Sequence, residues 1–192
     1  MTGSSARPPA GEREGTAEKV ARVPGGIVVR PVRPEECADA GRQTRAGFAA
    51  IFGAEDTEYL DTVADVAGRC DRTTVLVAVD EDGLILGSIT VELTSKVDPD
   101  RELAPGEAHL RMLGVAPAAQ GRGAGRALVA AAAAVARAAG KGRLTLGTLP
   151  EMAAARRLYE AMGFQGGAPE EHAPGRWHLS YELRLRTDSP TI

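Results

Sequence analysis

Apolar residues follow two different periods along this chain, and the period changes from segment to segment. Short runs rich in Val, Ile, Leu and Thr are typical of β-strands, and longer stretches of helix-forming residues have the spacing of amphipathic helices. Strands are predicted at residues 26–32, 73–79, 84–93, 107–115, 143–149 and 176–185, and helices at residues 33–52, 56–70, 123–139 and 151–163. This order, β-α-α-β-β-β-α-β-α-β, predicts a mixed α/β domain.

The two ends of the chain lack such periodicity. The first 26 residues are rich in Gly, Pro, Ser and charge, so they bury too little apolar surface to offset the entropy lost on ordering. We therefore predict a disordered tail at residues 1–26, a folded domain at residues 27–186 and a C-terminal tail at residues 187–192.

The composition is typical of a globular protein and excludes other classes. Hydrophobic residues make up 43% of the 192 residues, but the longest unbroken apolar run, Ala127–Ala136, is much shorter than the roughly 20 residues that span a bilayer. No apolar stretch follows the basic residues at the start, so a secretory signal is not indicated. The two cysteines, Cys37 and Cys70, lie in predicted helices and do not suggest a disulfide framework. We therefore expect a cytoplasmic protein that has no membrane partner.

The middle of the chain contains no acidic residue, although the net charge is -3. Residues 108–150 lack Asp and Glu, and their basic residues are Arg111, Arg122, Arg126, Arg137, Lys141 and Arg143. Alanines rather than stacking aromatic residues interrupt these charges, so a nucleic-acid partner is not expected. This stretch is suited to a small anion.

A glycine turn, "QGRGAG", lies in this acid-free stretch between a predicted strand and a predicted helix. Glycines there would expose backbone N–H groups, and the helix dipole would add partial positive charge, so a phosphate could bind. The spacing differs from the G-x-x-x-x-G-K-[ST] and G-x-G-x-x-G loops, which disfavours a nucleotide triphosphatase and a Rossmann dehydrogenase. The alternative is a tight connection that binds nothing.

This turn and a second motif resemble those of the GCN5-related N-acetyltransferase (GNAT) family. The family's acetyl-CoA motif, Q/R-x-x-G-x-G/A after a strand, is matched at residues 120–125, behind "LGV" at residues 113–115. Its second motif, N-x-x-A-x-x-L-Y-x-x-x-G-F, is matched by "MAAARRLYEAMGF", in which Met152 replaces the Asn. The matching residues are Ala155, Leu158, Tyr159, Gly163 and Phe164. The resemblance covers residues 27–185 and implies the GNAT fold, with a splayed central strand pair.

The resemblance implies acetyl-CoA as the co-substrate and indicates where it binds. The pantetheine arm is expected to hydrogen-bond to the backbone of Leu113 and Val115 in the gap between the splayed strands. The pyrophosphate is expected at the backbone N–H groups that begin the following helix. The residues assigned to acetyl-CoA are Leu113, Gly114, Val115, Gln120, Gly121, Arg122, Gly123, Ala124, Gly125 and Arg126.

Acetyl transfer from a thioester to an amine needs a neutral amine and a proton for the departing thiolate. Tyr159 matches the family's general acid, and the alternative is a core tyrosine on the apolar stripe of its helix. Glu107 and His109 share one face of their strand, and His109 stands where many relatives carry a Glu that drives deprotonation through water. His109, Glu107 and water alone all remain candidates for the base.

We therefore predict an N-acetyltransferase that acts on a primary amine of a small molecule or a protein. The alternative is a non-catalytic acyl-CoA sensor, which the presence of Tyr159 disfavours.

No metal is expected, since the histidines lack metal-ligand spacing. A homodimer is compatible with the sequence. Acidic residues in the segments expected to frame the acceptor site raise the hypothesis of a cationic acceptor, although solvated surface charge is the preferred explanation. These residues are Glu55, Asp56, Glu58, Asp61, Asp98, Asp100 and Glu102.

Overall fold

A twisted sheet of eight strands carries helices on both faces in the computed structural model, which describes residues 21–23, 26–53, 57–94, 102–173 and 176–185. The strands are β1 (Ala21–Val23), β2 (Ile27–Pro31), β3 (Thr74–Val79), β4 (Ile85–Glu92), β5 (Glu107–Val115), β6 (Arg143–Thr148), β7 (Gln165–Ala173) and β8 (Arg176–Arg184). The helices are α1 (Cys37–Phe52), α2 (Thr57–Ala64), α3 (Ala67–Cys70), α4 (Ala124–Ala138) and α5 (Ala153–Ala161). The predicted mixed α/β class is confirmed.

The strand order is β1-β2-β3-β4-β5-β6-β8-β7, and β5 and β6 are the parallel neighbours in an otherwise antiparallel sheet. α1 packs on β4 and β5. α4 packs against β2, β3, β4 and β5, and its apolar side forms the largest core cluster with Leu110, Leu144 and Leu146 on the sheet. Separate clusters lie under α1 and α2, so the sheet is covered on both faces.

Two strands were not expected from the sequence. The prediction of disorder up to Gly26 is wrong for Ala21–Val23, which pairs with β2 as an edge strand. β7 also escaped prediction, because its sequence, "QGGAPEEHA", contains glycine, proline and charge where strands favour β-branched residues. Backbone pairing with β8 stabilises it at the sheet edge, where proline is tolerated.

The predicted helix at residues 56–70 is divided into α2 and α3. Arg69, which is only 4% exposed, folds back so that its guanidinium donates to the carbonyls of Thr62, Val63 and Asp65 at 3.2, 2.9 and 2.7 Å. The last carbonyls of a helix have no partner within the helix, and Arg69 satisfies them here. Burial lowers the pKa of Arg69 from its ordinary value. Among the described residues, no helix is long and apolar enough to cross a membrane.

Candidate functional site

β5 and β6 pair over only part of their length. Their register runs from Glu107 opposite Arg143 to Leu110 opposite Leu146, whereas β5 continues to Val115. Residues 111–115 therefore diverge from β6, and their edge on that side has no strand partner in the described chain. The predicted splay is present, and it opens at the segment that was assigned to the pantetheine arm.

A β-bulge marks the point at which the strands separate. The register between β4 and β5 shifts between Ser88 and Thr90, and opposite this shift Met112 has a φ of 53°. Left-handed backbone is uncommon for a residue with a side chain, so neighbouring contacts must hold it. The bulge turns the side chain of Met112 toward α1 and α2, where it packs against Phe48, Leu60 and Val63.

α1 crosses the splayed end of β5 at very short range. A Cβ atom on Gly47 would lie 2.7 Å from the Val115 carbonyl oxygen, and one on Gly114 would lie 2.7 Å from the Thr44 carbonyl oxygen. Both positions therefore require glycine because two backbones meet there. Gly114, which was assigned to the co-substrate, presents its α-carbon to α1.

The glycine turn has the geometry of an anion cradle. Gly121 and Gly123 have φ values of 76° and 91°, and a Cβ atom on either would meet no atom within 4 Å. Ala127 is the first residue of α4 whose N–H bonds to a backbone carbonyl, that of Gly123 at 3.0 Å. In the described chain, the N–H groups of residues 121–126 have no hydrogen-bond acceptor. Six such donors at a helix N-terminus favour an anion.

The side chains around this turn have separate partners. The Gln120 side chain donates to the Val115 carbonyl at 3.2 Å and so holds the end of β5. Arg122 Nη2 lies 3.6 Å from Asp80 Oδ2 with the arginine side chain 46% exposed, so part of its charge is balanced within the protein. Arg126 is exposed. The turn therefore offers mainly backbone N–H groups, and the side chains of Arg122 and Arg126 are both exposed.

α5 approaches the turn from the other side of the splay. A Cβ atom on Gly125 would lie 3.4 Å from Leu158 Cδ2 and 3.8 Å from Val115 Cγ2. The next residue along α5 is Tyr159, which is 6% exposed and packs on the rings of Phe164 and Tyr181, with centroids 5.7 and 6.0 Å away. Tyr159 is thus both a core residue and a neighbour of the residues that line the splay.

The hydroxyl of Tyr159 makes no hydrogen bond within the described part of the chain, unlike that of Tyr181, which donates to Glu160 Oε1 at 2.7 Å. Burial raises the pKa of Tyr159 well above its ordinary value. The phenol therefore keeps its proton throughout the neutral range and can donate it to a basic group. A thiolate, with an ordinary pKa near 8.5 for its thiol, is a basic group of the right kind.

Glu107 and His109 meet through Thr145 on the facing strand, β6. Thr145 Oγ1 donates to Glu107 Oε1 at 2.7 Å and lies 2.8 Å from His109 Nδ1. The other carboxylate oxygen of Glu107 accepts from Arg143 Nη2 at 2.9 Å and from the Ala104 N–H at 3.3 Å. The structure therefore brings both candidate bases together, and it adds Thr145, which sequence reasoning missed. The parallel register of β5 and β6 would have been needed to find it.

A cluster of aromatic and sulfur-containing side chains borders the splay on the side of α1 and α2. The rings of Phe48, Phe52 and Tyr59 lie with centroids 5.8 to 6.2 Å apart. Met112 and Met152 pack against the same cluster, the first from the bulge and the second from the start of α5. Met152 Sδ accepts from the Thr148 hydroxyl at 3.5 Å. The residue that replaces the family's Asn thus joins an apolar surface, here called the aromatic wall (Phe48, Phe52, Tyr59, Met112 and Met152).

The acidic residues that suggested a cationic acceptor do not converge on this cleft as far as the structure describes them. Asp61 accepts from Arg45 Nη1 at 2.8 Å, while Glu58 and Glu102 are exposed. The remaining four, Glu55, Asp56, Asp98 and Asp100, lie outside the described residues.

Comparison with known proteins agrees with this geometry. The sequence profile of the Acetyltransferase (GNAT) family matches residues 42–164. None of the curated proteins matches in sequence. Among solved structures, a GCN5-related N-acetyltransferase from Kribbella flavida is 22% identical, with a TM-score of 0.65 over 85% of this chain and 100% of that chain.

Two further solved structures share the fold. The yncA protein of Salmonella typhimurium, solved with its cofactor acetyl-CoA, is 22% identical, with a TM-score of 0.62 over 87% of this chain and 99% of that chain. The ribosomal-protein-S18-alanine N-acetyltransferase of Escherichia coli is 17% identical, with a TM-score of 0.62 over 86% of this chain and 98% of that chain. These likenesses confirm the predicted fold.

Proposed function

Because this chain belongs to the GNAT family of acetyltransferases, we propose that it transfers an acetyl group from acetyl-CoA directly to a primary amine. The observation that carries the proposal is the row of N–H groups at residues 121–126 beside the open edge of β5. A pyrophosphate fits the first feature and an extended pantetheine amide chain fits the second. Acetyl-CoA supplies the activated acetyl group as a thioester.

The bonds and protons balance as follows. A C–N bond forms between the acceptor amine and the acetyl carbon, and the C–S bond breaks, so that the electron pair of that bond goes to sulfur. The amine loses one proton to a base on the protein, and the departing thiolate takes one proton from an acid. No oxidant, reductant or metal enters this balance.

We assign the base to His109 and the acid to Tyr159. Both carboxylate oxygens of Glu107 already accept hydrogen bonds, whereas imidazole takes and releases protons near neutral pH. The buried phenol of Tyr159 holds a proton that a thiolate accepts readily. His109→Gln should lower kcat/KM and change the acidic limb of its pH profile. An unchanged limb would mean that the acceptor's own ionisation sets it.

The acceptor is proposed to enter from the side of α1 and α2, opposite α4 and α5, and to lay its carbon skeleton on the aromatic wall. Tyr59 is 42% exposed and Phe52 is partly exposed, so both present apolar surface at the mouth of the splay. An amine with an aromatic or branched apolar body would bury that surface favourably. This wall favours such an acceptor over a polyamine.

The decisive experiment is a panel of primary amines assayed for free-thiol release from acetyl-CoA. The panel should contain arylalkylamines, polyamines and peptides with free N-termini, and the acetylated products should be identified by mass spectrometry. We expect arylalkylamines to give the highest kcat/KM and Phe52→Ala to raise their KM. Tight acetyl-CoA binding without turnover on any amine would instead support the acyl-CoA sensor.

A further inference from the structure

We propose that Thr145 and Glu107 are positioning residues that keep a proton on Nδ1 of His109 and so make Nε2 its basic nitrogen. The catalytic consequence rests on the proposed function of His109 as the base. The proton arrangement itself is a property of the resting protein. It can therefore be tested with or without turnover.

The argument begins with the single proton of the Thr145 hydroxyl. Thr145 Oγ1 has two acceptors in reach, Glu107 Oε1 at 2.7 Å and the Ala108 carbonyl at 3.3 Å. Two oxygens 2.7 Å apart need a proton between them, and a carboxylate has none to give, so the hydroxyl donates its proton to Glu107. Thr145 Oγ1 can then act only as an acceptor toward His109.

Thr145 Oγ1 lies 2.8 Å from His109 Nδ1. Since the oxygen accepts, the nitrogen must donate, and neutral imidazole has only one N–H. The lone pair of neutral His109 is therefore on Nε2, which is the nitrogen that takes the proton from an amine. Hydrogen bonding at one ring nitrogen commonly selects the tautomer of a histidine in this way.

The surroundings of these three residues support donation from Thr145 to Glu107 and from His109 to Thr145. Glu107 is 4% exposed and His109 is 7% exposed, so bulk water does not compete freely for these groups. Arg143 Nη2 donates to Glu107 Oε2 at 2.9 Å and favours the carboxylate, which cannot donate back to Thr145. By strand register, the face that His109 shares also carries Glu92 on β4, Glu107 and Arg111 on β5, Arg143 on β6, and Glu182 and Arg184 on β8.

The direct test is ¹⁵N NMR of histidine-labelled protein above the pH at which His109 becomes neutral. The chain contains three histidines, and His109→Gln assigns the signal. We expect a protonated-type shift at Nδ1 and an unprotonated-type shift at Nε2. Thr145→Val should move the signals toward the other tautomer, whereas Thr145→Ser should preserve them. Thr148→Val, which removes a hydroxyl that donates to Met152 from the same strand, should also preserve them.

The kinetic test uses the same variants with the best amine of the panel. Thr145→Val should lower kcat by about a hundredfold, at the lower end of what general acid–base catalysis contributes, with the KM for acetyl-CoA little changed. Thr145→Ser should recover kcat to within about threefold of wild type.

A protonated Nε2 in the resting protein overturns the proposal. So does an unchanged kcat in Thr145→Val when His109→Gln is impaired. If no amine is acetylated, the proposed function fails, while the NMR result still decides the proton position.

Discussion

Gly123 combines a backbone conformation and a location that no other residue type suits equally well. Its φ of 91° lies in the left-handed region, and the space where a Cβ atom would project is open on the protein side. Within the protein, a side chain there meets no clash and only raises the backbone energy, by about 1–2 kcal/mol. The larger expected effect of such a side chain is a steric clash with a ligand bound to the neighbouring N–H groups.

Gly123→Val should therefore abolish measurable acetyl-CoA binding in a protein that still folds. Isothermal titration calorimetry measures the binding, and circular dichroism and thermal melting monitor the fold. Gly140→Val is the matched control, since Gly140 follows the other end of α4 with a φ of 71° and equally open space. Wild-type affinity in Gly123→Val would mean that the turn is only a connection.

Tyr159 should act through its hydroxyl, because the ring alone already explains its packing. Tyr159→Phe should lower kcat by roughly 10²-fold at saturating acetyl-CoA, in line with a general acid, while binding persists. Since burial raises the pKa of Tyr159, its phenol stays protonated through the neutral and mildly basic range, so the loss should be the same from about pH 7 to 9.

Tyr181→Phe provides the control for Tyr159→Phe. It removes a hydroxyl from the same buried ring cluster, but that hydroxyl donates to Glu160. We expect its kcat to stay within about threefold of wild type. An equal loss of kcat in the two variants would mean that Tyr159 has a purely structural role.

At the scale of elements, an ion pair joins the second strand to the first helix. Arg30 on β2 donates from Nη1 and Nη2 to the two carboxylate oxygens of Glu36, at 2.7 and 2.6 Å, and the two side chains are 10% and 18% exposed. Glu36 also accepts from the Arg33 N–H at 3.0 Å, just before α1 begins. This pair ties β2 to the residues that immediately precede α1.

Glu36→Gln should lower the free energy of unfolding by about 1–3 kcal/mol at pH 7, as expected when a charged hydrogen-bond partner is lost. The hydrogen bonds from Arg30 are the main cause of a lowered pKa of Glu36, against an ordinary value of 4.5. The unfolded state therefore binds the proton first on acidification, so the stabilisation is present above about pH 4.5 and is lost as pH falls through the folded-state pKa.

Urea unfolding of wild type and Glu36→Gln at pH 7 and at about pH 3 measures this difference. Its size should shrink at the lower pH, because protonated Glu36 resembles Gln. A difference that is the same at both pH values would assign the effect to packing instead of charge.

At the scale of the whole molecule, the proposed binding of acetyl-CoA at residues 111–115 and at the glycine turn should stabilise the fold. Acetyl-CoA at about 100 times its Kd should stabilise the fold by about 2.7 kcal/mol. For a chain of this size that corresponds to a rise in Tm of roughly 5–10 °C.

Amide hydrogen exchange then shows where the stabilising acetyl-CoA binds. Amides of residues 121–126 should gain protection with acetyl-CoA, and those of β7 at the far edge of the sheet should not. A raised Tm with no protection in the turn would mean that the ligand binds elsewhere.

Local pattern alone determined the elements with a strong period and the position of the glycine turn between a strand and a helix. β3, β4, β5 and α4 have β-branched runs or a continuous apolar face, and the "QGRGAG" turn is readable because its residues are neighbours in sequence. These features depend on interactions within a few residues. The predicted fold class followed from them, whereas the predicted splay was implied by the family resemblance alone.

The tertiary structure decided what depends on residues far apart in sequence. β7 forms because β8 pairs with it, α2 ends at Ala64 because Arg69 binds carbonyls of its last turn, and Met112 adopts a positive φ because β4 and β5 shift register there. Thr145 joins Glu107 and His109 only through the parallel register of two strands about 36 positions apart. Such contacts are set by which strands pair and in what register. Because many pairings satisfy the same alternation of apolar and polar residues, packing of the whole chain must select one.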